Sequence, residues 1–80
     1  MFKIKFADGW DKYYLKLDKT EKMKIWKKIE QLKTQHKTRH LRHGLPFFIF
    51  ETGQYRICFE EEKDARIVAF AGSHKQYEKW

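Results

Sequence analysis

The sequence predicts an α+β fold, and three observations lead to this prediction. Residues 1–6 alternate apolar and basic side chains, which is the period of a half-buried β-strand. Residues 10–35 place apolar side chains three and four positions apart, as in amphipathic helices. From residue 47 onward, short apolar runs alternate with turn-forming residues. The predicted order is therefore β-α-α-β-β-β with a short C-terminal helix, in a single domain that spans residues 1–80.

Two helices are predicted between the first strand and a central basic segment. The first begins after Asp8, an effective N-cap. Its apolar stripe consists of Trp10, Tyr13, Tyr14 and Leu17. The second begins at Asp18, with Glu21 completing a capping box, and continues to about Gln35. Because almost no residues separate the two, we expect an N-terminal helical hairpin packed on one face of a mainly antiparallel sheet.

Three strands are predicted in the last third of the chain. Residues 47–50 form a continuous apolar run, which is typical of a strand covered on both faces. Residues 55–60 alternate, so that one face packs on the helices and the other carries Arg56. Residues 65–71 are almost entirely apolar and suit a central strand. Ser73 follows as the N-cap of a final helical turn.

The charge distribution indicates which half of the chain would meet a polyanion. The net charge is +7, but residues 1–46 carry 13 Lys and Arg against 5 Asp and Glu, whereas residues 47–80 carry 5 against 6. This excess favours nucleic acid or an acidic protein as a partner. A solvated lysine-rich helix face is the simpler alternative.

Residues 36–46 contain three of the four histidines and two of the four arginines, without helical or strand periodicity. We interpret them as a surface segment. Three nearby histidines can indicate a metal site, but the arginines and lysine between them would repel a cation, so we predict no metal and no cofactor. Cys58 is the single cysteine and excludes an intramolecular disulfide. No apolar run approaches the roughly 20 residues of a membrane span, and we expect a cytoplasmic protein.

The order of elements and several short motifs resemble the RelE/ParE superfamily of toxins from bacterial and archaeal toxin–antitoxin modules. The motifs are His-Leu-Arg-His-Gly at residues 40–44, the pair Tyr55-Arg56, and Gly72-Ser73-His74 followed by Tyr77. The resemblance implies a RelE-like fold and inhibition by a cognate acidic antitoxin. Most members cleave messenger RNA on the ribosome, and one branch inhibits DNA gyrase without being a nuclease.

The resemblance also implies which residues are catalytic. Arg56 matches the arginine that contacts the scissile phosphate, and His74 matches a histidine that follows the last strand in one subgroup. Tyr77 is similar to an aromatic residue that stacks on a base, and His40 resembles an upstream histidine of that subgroup. Other members use lysines in the second strand, where this chain has Phe47 and Ile49. The histidine-based subgroup is therefore the nearest match.

Ribonuclease chemistry of this kind needs no metal, because RNA supplies its own 2′-hydroxyl nucleophile. It needs a base for that proton, a cation beside the phosphate and an acid for the 5′-oxygen. We predict that Arg56 is the cation, and that His74 and either His40 or His43 transfer the protons. The further predicted substrate contacts are Arg39, Arg42, His43, Arg66 and Lys75.

Structural readings of these residues compete with the functional ones. Arg56 could simply pair with Glu51 or Glu60, and Tyr77 could belong to the core of the final turn. Two other functions also stay open: a toxin that inhibits gyrase without cleaving RNA, and a basic nucleic-acid-binding module without catalysis.

Overall fold

The computed structural model describes residues 2–34, the backbone of residues 39–40, and residues 47–80, of which Thr52 is described by its backbone alone. The elements in chain order are β1 (Lys3–Phe6), a 3-10 helix (Tyr14–Lys16), α1 (Lys19–Gln31), β2 (Arg39–His40), β3 (Phe48–Thr52), β4 (Tyr55–Glu62), β5 (Ala65–Ser73) and α2 (His74–Lys79). The fold is α+β, but the predicted N-terminal helical hairpin is wrong.

The sheet is mixed, with the strand order β1-β5-β4-β3-β2. β1 runs parallel to β5, and the other neighbours are antiparallel. The two-residue turn after β3 contains Gly53 at a φ of 59°, a left-handed conformation that glycine adopts without strain. This turn sets the register of the β3–β4 hairpin, in which Glu51 lies opposite Arg56.

Helix α1 begins and packs largely as its sequence predicts. The Asp18 side chain accepts a hydrogen bond from the Glu21 backbone N–H at 2.8 Å, so the predicted N-cap is confirmed. The reciprocal Glu21 side-chain bond of the predicted capping box is not seen at this helix start, which lies within the described residues. The helical spacing predicts a buried stripe of Ile25, Trp26, Ile29 and Leu32. Ile25, Ile29 and Leu32 are buried and form one core with apolar residues of β3, β4 and β5, whereas Trp26 is exposed. The helix ends at Gln31, short of the predicted boundary near residue 35.

The segment before α1 does not form the first predicted helix, because its contacts are divided between two faces of the sheet. Trp10, Tyr14 and Leu17 pack against the α1 core, whereas Tyr13 packs against Phe70 on the opposite face. A regular helix would keep all four on one side. Only a 3-10 turn forms, since a segment this short gains too little from helical hydrogen bonds to resist such tertiary contacts.

The second face of the sheet is covered as well. Ile49, Cys58 and Phe70 form a buried cluster there, against which Tyr13 and Tyr77 pack. α2 carries Tyr77, so helices lie on both faces, and the expectation of helices on one face alone is wrong. Burial raises the pKa of the Cys58 thiol to about 12, although the nearby Arg56 charge opposes this shift. The thiol is therefore protonated at neutral pH and unsuited to act as a nucleophile.

A β-bulge in β5 changes which face of the sheet its side chains occupy. The register with β4 shifts between Cys58 and Phe59, so that Phe70 pairs with Cys58 and Val68 pairs with Phe59. Val68 then belongs to the α1 core and Phe70 to the opposite cluster, although the two are only two positions apart. A strand without the bulge would have placed both on one face.

Candidate active site

Arg56 lies on β4, on the face that carries α2, and its guanidinium is held by three groups. Its Nη1 donates to the Gly53 carbonyl at 3.0 Å and to the Tyr55 carbonyl at 2.9 Å. Its Nε lies 3.3 Å from a carboxylate oxygen of Glu51. The Arg56 side chain is 14% exposed, so a charged group is fixed at the surface of the hairpin. The competing sequence interpretation was correct in that Arg56 pairs with Glu51.

Glu51 was expected from the sequence only as a structural partner of Arg56 and not as a residue of the site. It faces Arg56 because Thr52 and Tyr55 close the turn and the next pair outward is Glu51 with Arg56. The signal was present in the sequence, since a two-residue turn fixes which positions oppose one another. By holding the guanidinium, Glu51 acts as a positioning residue.

Gly72 lies opposite Arg56 on β5, at the point where the chain turns into α2. A Cβ atom at Gly72 would meet the Gln76 Oε1 at 2.5 Å and the Phe70 ring at 3.0 Å. Gln76 is therefore able to pack over the strand only because this position has no side chain. Glycine at this junction brings the start of α2 close to β4.

The start of α2 is fixed by a reciprocal capping box. The Ser73 hydroxyl accepts from the Gln76 backbone N–H at 3.2 Å, and the Gln76 side-chain oxygen accepts from the Ser73 N–H at 3.0 Å. The Gln76 amide also donates to the Tyr13 carbonyl at 2.9 Å. The predicted cap at Ser73 is confirmed, and it joins α2 to the segment before α1.

His74 is the first residue of α2 and lies two positions after Gly72. Its backbone N–H donates to the Gln54 carbonyl at 2.7 Å, which ties it to the β3–β4 turn. Its imidazole is 51% exposed, and its Nε2 lies 3.0 Å from a Glu78 carboxylate oxygen one helical turn away. The structure thus brings the backbone of His74 and the Arg56 guanidinium to the same hairpin turn, with the imidazole open to solvent.

Tyr77 is half-buried in an aromatic cluster on the α2 face. Its ring centroid lies 6.1 Å from that of Phe70 and 6.3 Å from that of Trp80. These contacts support the structural reading of Tyr77 as a core residue of the final turn. Lys75, by contrast, is exposed beside His74 and is open to contact with an anion.

Arg66, a predicted substrate contact, is a buried residue. It is 3% exposed and lies beneath the C-terminal end of α1, on the face of the sheet away from α2. Its Nη1 donates to the Leu32 carbonyl at 2.8 Å, and its Nε pairs with Glu61 at 3.1 Å. Its guanidinium also lies 3.9 Å from the centroid of the Phe2 ring. Burial and these partners favour a structural role, and we leave Arg66 out of the proposed site.

The remaining predicted residues lie on or near β2. Arg39 is in register with Ile49 and His40 with Phe48, and only their backbones are described. Strand spacing and rise place the His40 Cα on the order of 14 Å from that of Arg56, too far for direct contact but within reach of a shared nucleotide. Arg42 and His43 lie outside the described residues.

The part of the chain that the structure describes contains neither a metal-binding cluster nor a membrane-spanning helix. No group of three or more His, Cys, Asp or Glu side chains there could hold a metal ion. Within residues 2–34 and 47–80, no helix combines the length and the apolar character needed to cross a membrane.

Comparison with known proteins gives a match in structure but not in sequence. No protein-family model matches the sequence, and no curated protein matches it either. The structure superposes on a chain of the crystal structure of the RelB–RelE antitoxin–toxin complex from Methanococcus jannaschii, with a TM-score of 0.65 and 14% identity. The match covers 94% of this chain and 95% of the other.

The fold is RelE-like. The resemblance stated from the sequence is thus confirmed at the level of the fold, because the superposition covers nearly the whole of both chains. A sequence identity of 14% does not show to which subgroup of toxins the chain is related, and the histidine-based assignment stays a prediction. Within the RelE-like fold, the Arg56 hairpin and the start of α2 form the candidate active site.

Proposed function

We propose that this protein is the toxin of a type II toxin–antitoxin system and acts in the cytoplasm as an mRNA-cleaving endoribonuclease on the ribosome. The observation that carries the proposal is the RelE-like fold with Arg56 held at the hairpin turn to which His74 is also tied. A fixed cation and an exposed imidazole beside one turn are two of the three groups that RNA cleavage requires.

The proposed reaction uses the RNA's own 2′-hydroxyl. A base takes the proton of that hydroxyl as the 2′-oxygen bonds to phosphorus, and the bond from phosphorus to the 5′-oxygen breaks. An acid donates a proton to the departing 5′-oxygen, leaving a 2′,3′-cyclic phosphate on the other fragment. No metal or cofactor takes part.

Arg56 stabilises the negative charge that grows on the phosphate. A guanidinium has five N–H donors; the two on Nη1 donate to the Gly53 and Tyr55 carbonyls, and Nε lies 3.3 Å from the Glu51 carboxylate in an ion pair. The two on Nη2 are assigned to phosphate oxygens. Because the two Nη1 hydrogen bonds and the ion pair already hold the guanidinium, the group is oriented before the substrate arrives, and little reorganisation is needed in the transition state.

His74 is assigned one proton transfer, because its imidazole is solvent-exposed and can change partners from Glu78 to a ribose or leaving-group oxygen. His40 or His43 is assigned the other transfer. Tyr77, which lies on the same short helix, is assigned contact with a base. The phosphate contacts are assigned to Arg39, Arg42 and Lys75.

The proposed partner is an acidic antitoxin that covers the apolar surface beside α1. Phe6, Trp10 and Trp26 form an aromatic cluster there, with ring centroids 4.6 to 6.4 Å apart. Trp26 is 40% exposed, and Met23, one turn earlier on α1, is also exposed. An apolar helix face flanked by carboxylates would fit this cluster and the surrounding lysines.

Antitoxin binding is expected to weaken strongly with salt and to depend on Trp26. Raising salt from about 0.1 M to about 1 M shortens the Debye length from about 10 Å to about 3 Å and should weaken the charge contribution to binding.

Trp26→Ala should weaken binding of the co-expressed antitoxin by at least about tenfold, as measured by calorimetry. The matched control is Trp80→Ala, which removes a tryptophan of similar exposure, 43%, from the other face. Equal losses in the two variants, or an affinity insensitive to salt, would contradict the proposed surface.

The nuclease function is tested by incubating the purified chain with a defined transcript, with and without translating ribosomes. We expect fragments with 2′,3′-cyclic phosphate or 3′-phosphate ends, formed in the presence of EDTA. Intact transcripts together with inhibited DNA gyrase would instead identify the non-nuclease branch. Intact transcripts and unaffected gyrase would leave the basic binding module as the function.

A further inference from the structure

An open pocket of about 350 Å³ lies between α1 and the β3–β4 turn, and the sequence analysis did not identify it. Its lining consists of Lys24, Lys27, Lys28, Gln31, Gly53, Gln54 and Tyr55. The volume lies within the range of about 300 to 1,000 Å³ that is usual for small-ligand sites. We propose that this pocket binds a nucleotide of single-stranded RNA, with the lysines on its phosphates and Tyr55 beside its base.

The charge of the pocket is the first argument. Lys24 lies three and four positions before Lys27 and Lys28, so the three ammonium groups lie on neighbouring positions of one helix face. No carboxylate is among the described residues that line the pocket. Like charges at this spacing repel one another and destabilise a helix, and a bound anion would remove that repulsion.

The chemistry of the lining favours a nucleotide over an acidic peptide. Lysine is a point charge that binds phosphate and carboxylate alike, so the aromatic ring rather than the charge distinguishes a nucleotide from an acidic peptide. Tyr55 adds a half-buried aromatic ring, and the lysine stems add apolar surface. A basic groove that also offers an aromatic ring is the arrangement that binds single-stranded nucleic acid without sequence preference.

The position of the pocket connects it to Arg56. Gly53 lines the pocket, and its carbonyl accepts from the Arg56 Nη1 at 3.0 Å. The two sites therefore share one turn, but the pocket lies on the α1 face and Arg56 on the α2 face, so an RNA strand would pass around the end of the hairpin to contact both. That continuity rests on the proposed nuclease function. Binding in the pocket does not.

The test measures the anisotropy of a fluorescent 2′-O-methyl oligoadenylate of about ten nucleotides, a length within known single-strand site sizes. This RNA has no free 2′-hydroxyl, so binding is measured without cleavage. Replacing Lys24, Lys27 and Lys28 together by glutamine should weaken binding at least about tenfold. The slope of log K against log salt should fall by about 2, at about 0.7 for each lost phosphate contact.

The matched control replaces Lys19, Lys33 and Lys79 by glutamine, which removes the same charge from exposed positions outside the pocket. We expect it to weaken binding less than about threefold. Equal weakening by the two triple variants would show general charge attraction and overturn the proposal. Urea unfolding of both variants checks that each is folded.

A second measurement requires no variant. Titration of the unchanged protein with the same RNA should shift the backbone amide NMR signals of Gly53 and Gln54. Unshifted signals at saturating RNA would overturn the proposal, as would tighter binding at these residues by a hexaglutamate peptide that competes with the RNA. Because cleavage does not enter these measurements, their failure is distinguishable from failure of the nuclease assignment.

Discussion

Arg56→Ala is expected to lower transcript cleavage by about 10²- to 10³-fold, the usual cost of losing one oriented group that stabilises transition-state charge. The loss should appear in kcat, because the guanidinium acts most strongly on charge that develops during the reaction. Single-turnover cleavage of a defined transcript measures it. In cells, the same variant should relieve growth arrest on expression.

Two further variants separate the charge of Arg56 from its fixed geometry. Arg56→Lys keeps the charge but loses the fork, and we expect activity between that of the wild type and that of Arg56→Ala. Glu51→Gln keeps Arg56 but removes the ion pair at 3.3 Å, so a smaller loss in kcat is expected with little change in KM. Wild-type activity in Arg56→Ala, with thermal unfolding unchanged, would show that Arg56 is not part of the site.

Arg66→Ala is expected to lower the free energy of unfolding by about 3 kcal/mol. The substitution leaves the Leu32 carbonyl at the end of α1 without the donor at 2.8 Å, and it removes the cation from the Phe2 and Phe59 rings. Glu61 also loses a partner, but it is partly exposed and can be solvated, so its share of the loss is smaller. Urea unfolding monitored by tryptophan fluorescence measures the change.

Two controls distinguish this structural role from the phosphate contact predicted from the sequence. Lys5→Ala removes one positive charge from an exposed position on β1 and should change stability by less than about 0.5 kcal/mol. Arg66→Met keeps the buried stem and should recover part of the loss. If Arg66→Ala were as stable as the wild type but bound RNA more weakly, Arg66 would be a substrate ligand after all.

The parts of the fold that followed from the sequence are those governed by local periodicity and turn chemistry. The N-cap at Asp18, the buried face of α1 and the capping box at Ser73 depend on residues within one helical turn of each other. The β3–β4 hairpin similarly depends on Gly53 and on the register that its turn imposes. Such features can be read from a sequence because their partners lie close along the chain.

The missed elements were decided by contacts between distant residues. Trp10, Tyr13, Tyr14 and Leu17 have helical spacing, but the two faces of the sheet divide them. The bulge opposite Cys58 and the packing of α2 over Gly72 likewise depend on which strands become neighbours. A periodic pattern indicates that a residue will be buried but does not indicate against what.

The candidate site shows the same division. By itself, the sequence determined that Arg56 lies on a strand beside a turn, that His74 follows the last strand, and that the basic charge is concentrated in the first half of the chain. Only the tertiary structure buried Arg66 beneath α1 and brought three lysines of α1 beside the β3–β4 turn in one pocket. The physical reason is that strand pairing and helix packing bring together groups that are far apart in the chain, and local patterns carry no information about those partners.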